Sequence, residues 1–483
     1  MSLDETNADE LAGGGRGFPG EFELKPHRDQ RAVRGRVPPQ PRAVSASPSP
    51  RVAALNRVRN GPFVLVAVFW VILIYDADIF LTDKTGIPFY RLPILAAGLL
   101  AIRVGMRWQK RALFWPLAVF TLMHVVASVL AENAGLARGP AKFLIYVCLF
   151  FAGSVIYTDS PRKATTLLNI LLVSIIWFGV QGLSSAGRVT WHPLLNNEDS
   201  FGPLMVIMLP LAYFYSLAAE SSRWRWIARF AFIITLAGAV VSLARGAALA
   251  GGLVLLYMLF RSPRRGRFIG LVALAAVIAI PIVTSFFSID SYIAEIASSS
   301  KGDNTRLGLW MAAVRVFFSS PLFGVGSGNF GVVANRIAYD QVRALDLPGV
   351  YMIAVHNPHF EILAEEGLIG IVCWFLILWN THRWIRQLRA PGAQEEWKRR
   401  GGELDLRLVS YGLEGMLLAY LGTSIFYNQL YIHWIWSVMT IAFVLVNQTT
   451  RSGVPAQTSP RARTPLRGGF VPARAAHNSL DGR

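Results

Sequence analysis

His356 and the stretch after it, Asn357-Pro358-His359-Phe360-Glu361 running on to Glu365-Glu366-Gly367, place two imidazoles and three carboxylates directly ahead of an apolar block. A neutral imidazole can take a proton from a hydroxyl near neutral pH, so His356 is a candidate general base. The plain alternative is a surface histidine at a helix start. Asn357 suits an N-cap and Pro358 the first helical position, so a short helix should begin here. His359, Glu361 and Glu365 either orient the base or serve only that helix. A metal centre on His356, His359 and Glu361 is not favoured, because His-x-x-His lacks the i, i+4 spacing and the third, distant ligand of metallohydrolases. No metal and no cofactor are expected.

Cations are the second class of candidate. Arg245 interrupts the apolar run Val241-Ser-Leu-Ala-Arg-Gly-Ala-Ala-Leu249. A charge there costs a few kcal/mol on insertion scales unless it meets water or an anion. Arg306 opens a segment of helical periodicity, 305–318, in which Trp310 follows one turn later. Each arginine alone reads as a snorkelling or headgroup-contacting side chain. Together they could clamp a pyrophosphate, for which a planar guanidinium suits better than an ammonium. Arg188 and His192, in the outer loop before the sixth span, are secondary candidates for donor or acceptor contacts. Gly324-Val-Gly-Ser-Gly-Asn-Phe-Gly331 lacks the strand before and the Lys-Ser/Thr after that a nucleotide loop requires, so it reads as a tight turn flooring the site.

The elements that must position these residues are membrane helices. Of the residues, 53% are hydrophobic, only 16% are charged, and mean hydropathy is +0.42; a soluble chain carries nearer a quarter charged. About twelve apolar blocks occur, at roughly 62–80, 87–104, 112–131, 140–157, 166–186, 201–219, 226–244, 246–261, 267–288, 367–382, 407–427 and 430–447. The formal net charge of +18 does not indicate nucleic acid, because the basic residues concentrate in loops and tails. With the N-terminus inside, about twenty basic residues fall in cytoplasmic connections against six in the short outer ones. Cys148 and Cys373 both lie within apolar blocks and suggest no disulfide framework.

The expected fold is therefore an all-α polytopic membrane protein with about twelve transmembrane helices, one large periplasmic loop carrying short helices, and disordered cytoplasmic tails. Residues 1–60 form a Pro/Arg/Gly-rich basic N-tail with no signal peptide, and 448–483 form a similar C-tail. Helices 1–9 occupy 61–288, the periplasmic catalytic loop 289–366, and helices 10–12 occupy 367–447. Loops this long within a compact fold are usually functional.

Taken in order, these motifs resemble the O-antigen ligase and polymerase superfamily of bacterial envelope glycosyltransferases. Ser242-Leu-Ala-Arg245-Gly246 is similar to the family's Ser/Thr-Arg-Gly element. Arg306-Leu-Gly-Leu-Trp310 and Pro321-Leu-Phe-Gly324-Val-Gly326 are similar to its loop elements. His356-Asn357, with Glu365 and Gly367 downstream, is similar to its His-Asn motif, and Asn196-Asn-Glu-Asp-Ser-Phe-Gly-Pro203 to the opening of a mid-chain span. The close resemblance covers about 190–375; Pro358-His359 departs from the usual pattern and adds a second histidine.

The resemblance implies a metal-independent transfer of a glycan from undecaprenyl pyrophosphate to an acceptor hydroxyl on the periplasmic face of the bacterial inner membrane. His356 would activate the acceptor, and Arg245 and Arg306 would hold the pyrophosphate. The acceptor would be lipid A–core or another surface glycan, as in lipopolysaccharide biosynthesis. Polymerisation of repeat units and protein O-glycosylation share the donor chemistry. A transporter or flippase of polysaccharide or lipid is the rival from another class, but no repeat relates the two halves and no paired broken segments occur.

Overall fold

The computed structural model describes residues 50–76, 81, 84–85, 92–106, 113–192, 194–286, 300–338 and 354–450. By contacts the chain separates into residues 1–54 and 55–483. Of the first unit only 50–54 are described, and they are helical. The second unit holds every residue of the site.

The described residues form helices and turns, with no strand among them and one isolated bridge, Ala219 to Leu404. In chain order the helices are α1 (Pro50–Tyr75), α2 (Leu92–Met106), α3 (Trp115–Leu130), α4 (Ala134–Tyr157), α5 (Pro161–Ser184), α6 (Glu198–Ala218), α7 (Ser222–Val241) and α8 (Arg245–Arg261). Then follow α9 (Arg265–Phe286), α10 (Ser300–Ser319), α11 (Phe330–Ile337), α12 (Pro358–Glu365), α13 (Gly367–Gln387), α14 (Ala393–Arg399), α15 (Leu406–Ser424) and α16 (His433–Thr449).

Six of these, α4, α5, α6, α7, α9 and α13, are long and apolar enough to cross a membrane; 60–75, 94–106 and 115–130 are apolar but shorter. Two boundaries differ from expectation. Helix α1 begins at Pro50, a residue well suited to a first turn, so 50–60 extend the first apolar block as helix. Helix α10 begins at Ser300, which makes Arg306 a second-turn residue and not the opening one; Asp303 and Asn304 mimic a cap in sequence, but the helix runs through them. The tails 1–49 and 451–483 and the loop segments 287–299 and 339–353 lie outside the described residues.

Helix α6 is the axis of the core, buried along nearly its whole length, while α9 exposes most of its apolar surface. Gly415 lets α15 cross α6 closely: a Cβ there would lie 2.5 Å from the Cβ of Pro210. Packing of this kind, by small residues between helices, suits a lipid solvent that offers no hydrophobic drive to association. Helix α8 spans 17 residues, so at 1.5 Å per residue its ends stand about 25 Å apart. Arg245 therefore marks one end of the bundle and Arg261 the other.

Candidate functional site

Asn357 begins the site as a helix cap. Its side-chain oxygen accepts from the N–H of His359 at 2.9 Å and of Phe360 at 3.3 Å, with Pro358 in the first turn. Its amide nitrogen donates to the carbonyl of Ile425 at 3.3 Å, tying the start of α12 to the end of α15. His356, just before the cap, is held at φ +56 with its side chain exposed. A non-glycine residue in the left-handed region is uncommon, and such conformations cluster where function over-determines them.

The end of α7 and start of α8 come to the same place. Leu243 also takes a positive φ, +53, so the chain turns sharply between Ser242 and Arg245. Gly187 (φ +79) packs against this turn so closely that a Cβ would fall 2.5 Å from Ser242 Cα, which brings the Arg188 loop alongside. Arg245 stands exposed at the first position of α8. The next residue, Gly246, donates its N–H to the Tyr427 hydroxyl at 3.2 Å.

Helix α10 completes the ring. Trp310 stacks on Phe360 of α12, with centroids 5.4 Å apart and planes 19° apart. One turn earlier, the Arg306 guanidinium lies over Phe426 at 5.9 Å and Tyr427 at 5.7 Å. From α6, capped by Asn197 onto Ser200 at 2.8 Å, Asp199 lies within electrostatic range of Tyr427, Arg306 and His356. Glu198 beside it pairs with Arg188 at 3.7 Å, both roughly half exposed, a pair worth little by itself.

Arg306 and His356 thus face Asp199, and the first turn of α8, which carries Arg245, reaches the same Tyr427 through Gly246. The His356 ring is held below the ordinary imidazole range, first by loss of solvation and then by the Arg306 charge, with Asp199 opposing. Above its lowered pKa the ring is neutral and can accept a proton. No described residue hydrogen-bonds it. Two cations, one open base and one shared anion can hold a diphosphate-type anion and deprotonate a neighbouring hydroxyl.

The structure separates the other candidates from this ring. His359 accepts the Trp374 indole N–H on Nδ1 at 3.2 Å, so its Nε2–H donates to Ser424 Oγ at 3.2 Å. Both nitrogens are committed, and burial lowers its pKa. His192 accepts the N–H of Leu194 on Nδ1 and faces Asp76 at 3.3 Å through Nε2. It is buried, with its pKa pushed down to about 4, mainly by burial. These two contacts fix the neutral ring as a donor to Asp76, away from the ring of arginines.

Glu365 is a brace. Its carboxylate oxygens accept from the backbone N–H groups of Gly328 at 2.8 Å and Phe330 at 3.0 Å. The glycine loop therefore docks at the C-terminal end of α12 and does not floor the His356 site. Gly324 (φ +69) and Gly367 (φ +65) abut there, since a Cβ on Gly367 would lie 2.6 Å from Gly324 N. Leu368 N–H then donates to the Pro321 carbonyl at 2.8 Å, so the loop caps α13. Glu361 accepts from the Asn428 amide, and burial pushes its pKa up to about 7. Glu366 accepts from Ser327 Oγ at 2.8 Å and contacts His124 Nε2 at 3.2 Å. Burial and Glu365 hold its carboxyl well above the usual range.

Asp199, Phe426 and Tyr427 are the site residues that sequence reasoning missed. Asn428 and Gln429, a polar pair interrupting apolar sequence beside Tyr427, were the available signal.

The family model described as O-antigen ligase matches residues 230–375. No curated protein matches the chain. The match contains Arg245, Arg306, His356 and Gly367, whereas Asp199 and Tyr427, which join them, lie on either side of it. With six helices fit to cross a bilayer, the chain is a multi-pass membrane protein whose segment 230–375 matches the O-antigen ligase family model.

Proposed function

We propose that the chain transfers a glycan from undecaprenyl pyrophosphate to an acceptor hydroxyl on the periplasmic face of a bacterial inner membrane, as an O-antigen ligase does onto lipid A–core. The observation that carries this reading is the convergence of Arg306, His356 and the Arg245 end of α8 on Tyr427 and Asp199.

In this reaction the acceptor oxygen attacks the anomeric carbon as the bond from that carbon to the pyrophosphate oxygen breaks. The acceptor proton passes to His356. The lipid pyrophosphate leaves with the bonding pair, and its growing charge meets Arg306 and Arg245, a role for which pre-placed cations are effective. Asp199 then faces the newly formed imidazolium and offsets the neighbouring Arg306 charge. Tyr427, held between Gly246 and Asp199, keeps the clamp and the base in register. Transfer by side chains alone, the N-in and C-in orientation and the inner-membrane location belong to the same reading.

Purified protein incubated with a defined undecaprenyl-pyrophosphate glycan and a panel of acceptors tests it directly. Product and free lipid pyrophosphate should appear together with one acceptor class, and chelation of divalent ions should leave the rate unchanged. No product with lipid A–core, repeat-unit or protein acceptors sinks the proposal.

A further inference from the structure

At the end of the bundle opposite His356, several of the described basic residues have partners within the chain. Glu414 receives Arg389 through two contacts of 2.9 and 3.0 Å, and Arg261 stands 3.8 Å away. Lys163 pairs with Asp159 at 3.0 Å and Lys398 with Glu220 at 3.7 Å. Arg400 donates to the carbonyls of Gln448 and Asp159 at 2.6 and 2.9 Å.

One cluster without such partners lies toward the starts of α7 and α9, which pack against each other. Arg229 is within electrostatic range of Arg225, Arg264 and Arg267. Among the described residues none of these four has an ion pair, and the Nε of Arg229 is buried without a hydrogen-bond partner. Four guanidinium groups at close range repel one another, so the arrangement is electrostatically incomplete without an anion. A planar guanidinium fork fits a phosphate. The surroundings are those of a bilayer interface. Trp226, 65% exposed, stacks against the Arg229 guanidinium at 4.6 Å. Phe230 and Ile269, 49% and 58% exposed, lie further along α7 and α9 from their starts.

We propose that Arg225, Arg229, Arg264 and Arg267 form a binding site for the phosphate of an anionic phospholipid, with acyl chains running along Phe230 and Ile269. This site lies at the far end of the bundle from the transfer chemistry and does not depend on it. Bound lipid would lock the start of α7 to the start of α9 and stabilise the bundle there.

The full-length protein in nanodiscs of phosphatidylcholine, with or without phosphatidylglycerol, tests the site by thermal unfolding and by native mass spectrometry of retained lipid. Phosphatidylglycerol should raise Tm by roughly 2–4 °C and be retained preferentially. Arg229→Gln with Arg267→Gln should lose both effects. Arg264→Gln with Arg267→Gln, at two exposed positions, repeats the test if the Arg229 variant fails to fold. Inorganic phosphate in phosphatidylcholine nanodiscs should not reproduce the shift. Equal Tm in both lipid mixtures, full lipid retention by either variant, or a full shift from phosphate alone would each overturn the proposal.

Discussion

The backbone N–H of Gly246 donates to the Tyr427 hydroxyl across 3.2 Å, joining the first turn of α8 to the turn between α15 and α16. This approach requires a glycine, because a Cβ would lie 2.7 Å from Phe426 Cβ and 2.8 Å from Tyr427 Cε2. Gly246→Ala must push Tyr427 outward, and Arg306, stacked on that ring, with it. Transfer should fall by about 10-fold or more while the protein still reaches the membrane; wild-type turnover in this variant would show that Tyr427 does not hold the clamp.

His356 and His359 should fail in different ways. His356→Ala removes an exposed ring with no hydrogen bond to a described residue, so transfer should drop by about 10²–10⁴-fold at nearly unchanged Tm. His359→Ala leaves the Trp374 N–H without its acceptor, while Ser424 keeps its bond to the Leu421 carbonyl, a cost of about 1–3 kcal/mol for the N–H left unpaired. Its principal effect should be on thermal unfolding. The reverse pattern would assign the proton to His359.

The pH dependence follows from the charges beside His356. Its pKa is lowered from 6.5 in the folded protein, so the neutral base persists as pH falls below 6.5 and is lost only at more acid pH. The acid limb of kcat/KM should therefore lie below 6.5. Asp199→Asn removes the charge that raises this pKa and should move the limb further to acid. Arg306→Gln removes a charge that lowers it and should move the limb upward, while also weakening donor binding. Two limbs moving together, or neither moving, would separate His356 from the titration.

Glu365→Ala should destabilise the fold without touching the transfer chemistry. The buried N–H groups of Gly328 and Phe330 lose their acceptor, at about 1–3 kcal/mol each. The loop that caps α13 then loosens. Lower Tm and lower membrane levels are expected, with near-normal turnover per folded molecule. Normal stability with absent turnover would instead make Glu365 part of the reaction.

Local chemistry made much of the protein legible in its sequence. Apolar blocks of membrane length, the Asn357 cap, Pro358 and the spacing of Arg245, Arg306 and His356 all follow from periodicity and residue type, and such signals act between near neighbours in the chain. The exchange of roles between paired residues was decided elsewhere. His356 and His359 look alike three residues apart, yet one faces Arg306 and Asp199 while the other is held by Trp374 and Ser424. His192 lies near Arg188 in sequence but turns to Asp76, and the glycine loop braces α13 and does not floor the base. Asp199 and Tyr427 carry no local signature, because each gains its role from contacts across more than a hundred residues. Sequence alone determined that the chain is helical and crosses membranes, and which charged groups it carries. Packing of α12 against α10 and the end of α15, and of α8 against the turn after α15, decided which of those groups meet, since burial and hydrogen-bond partners are properties of helices brought together.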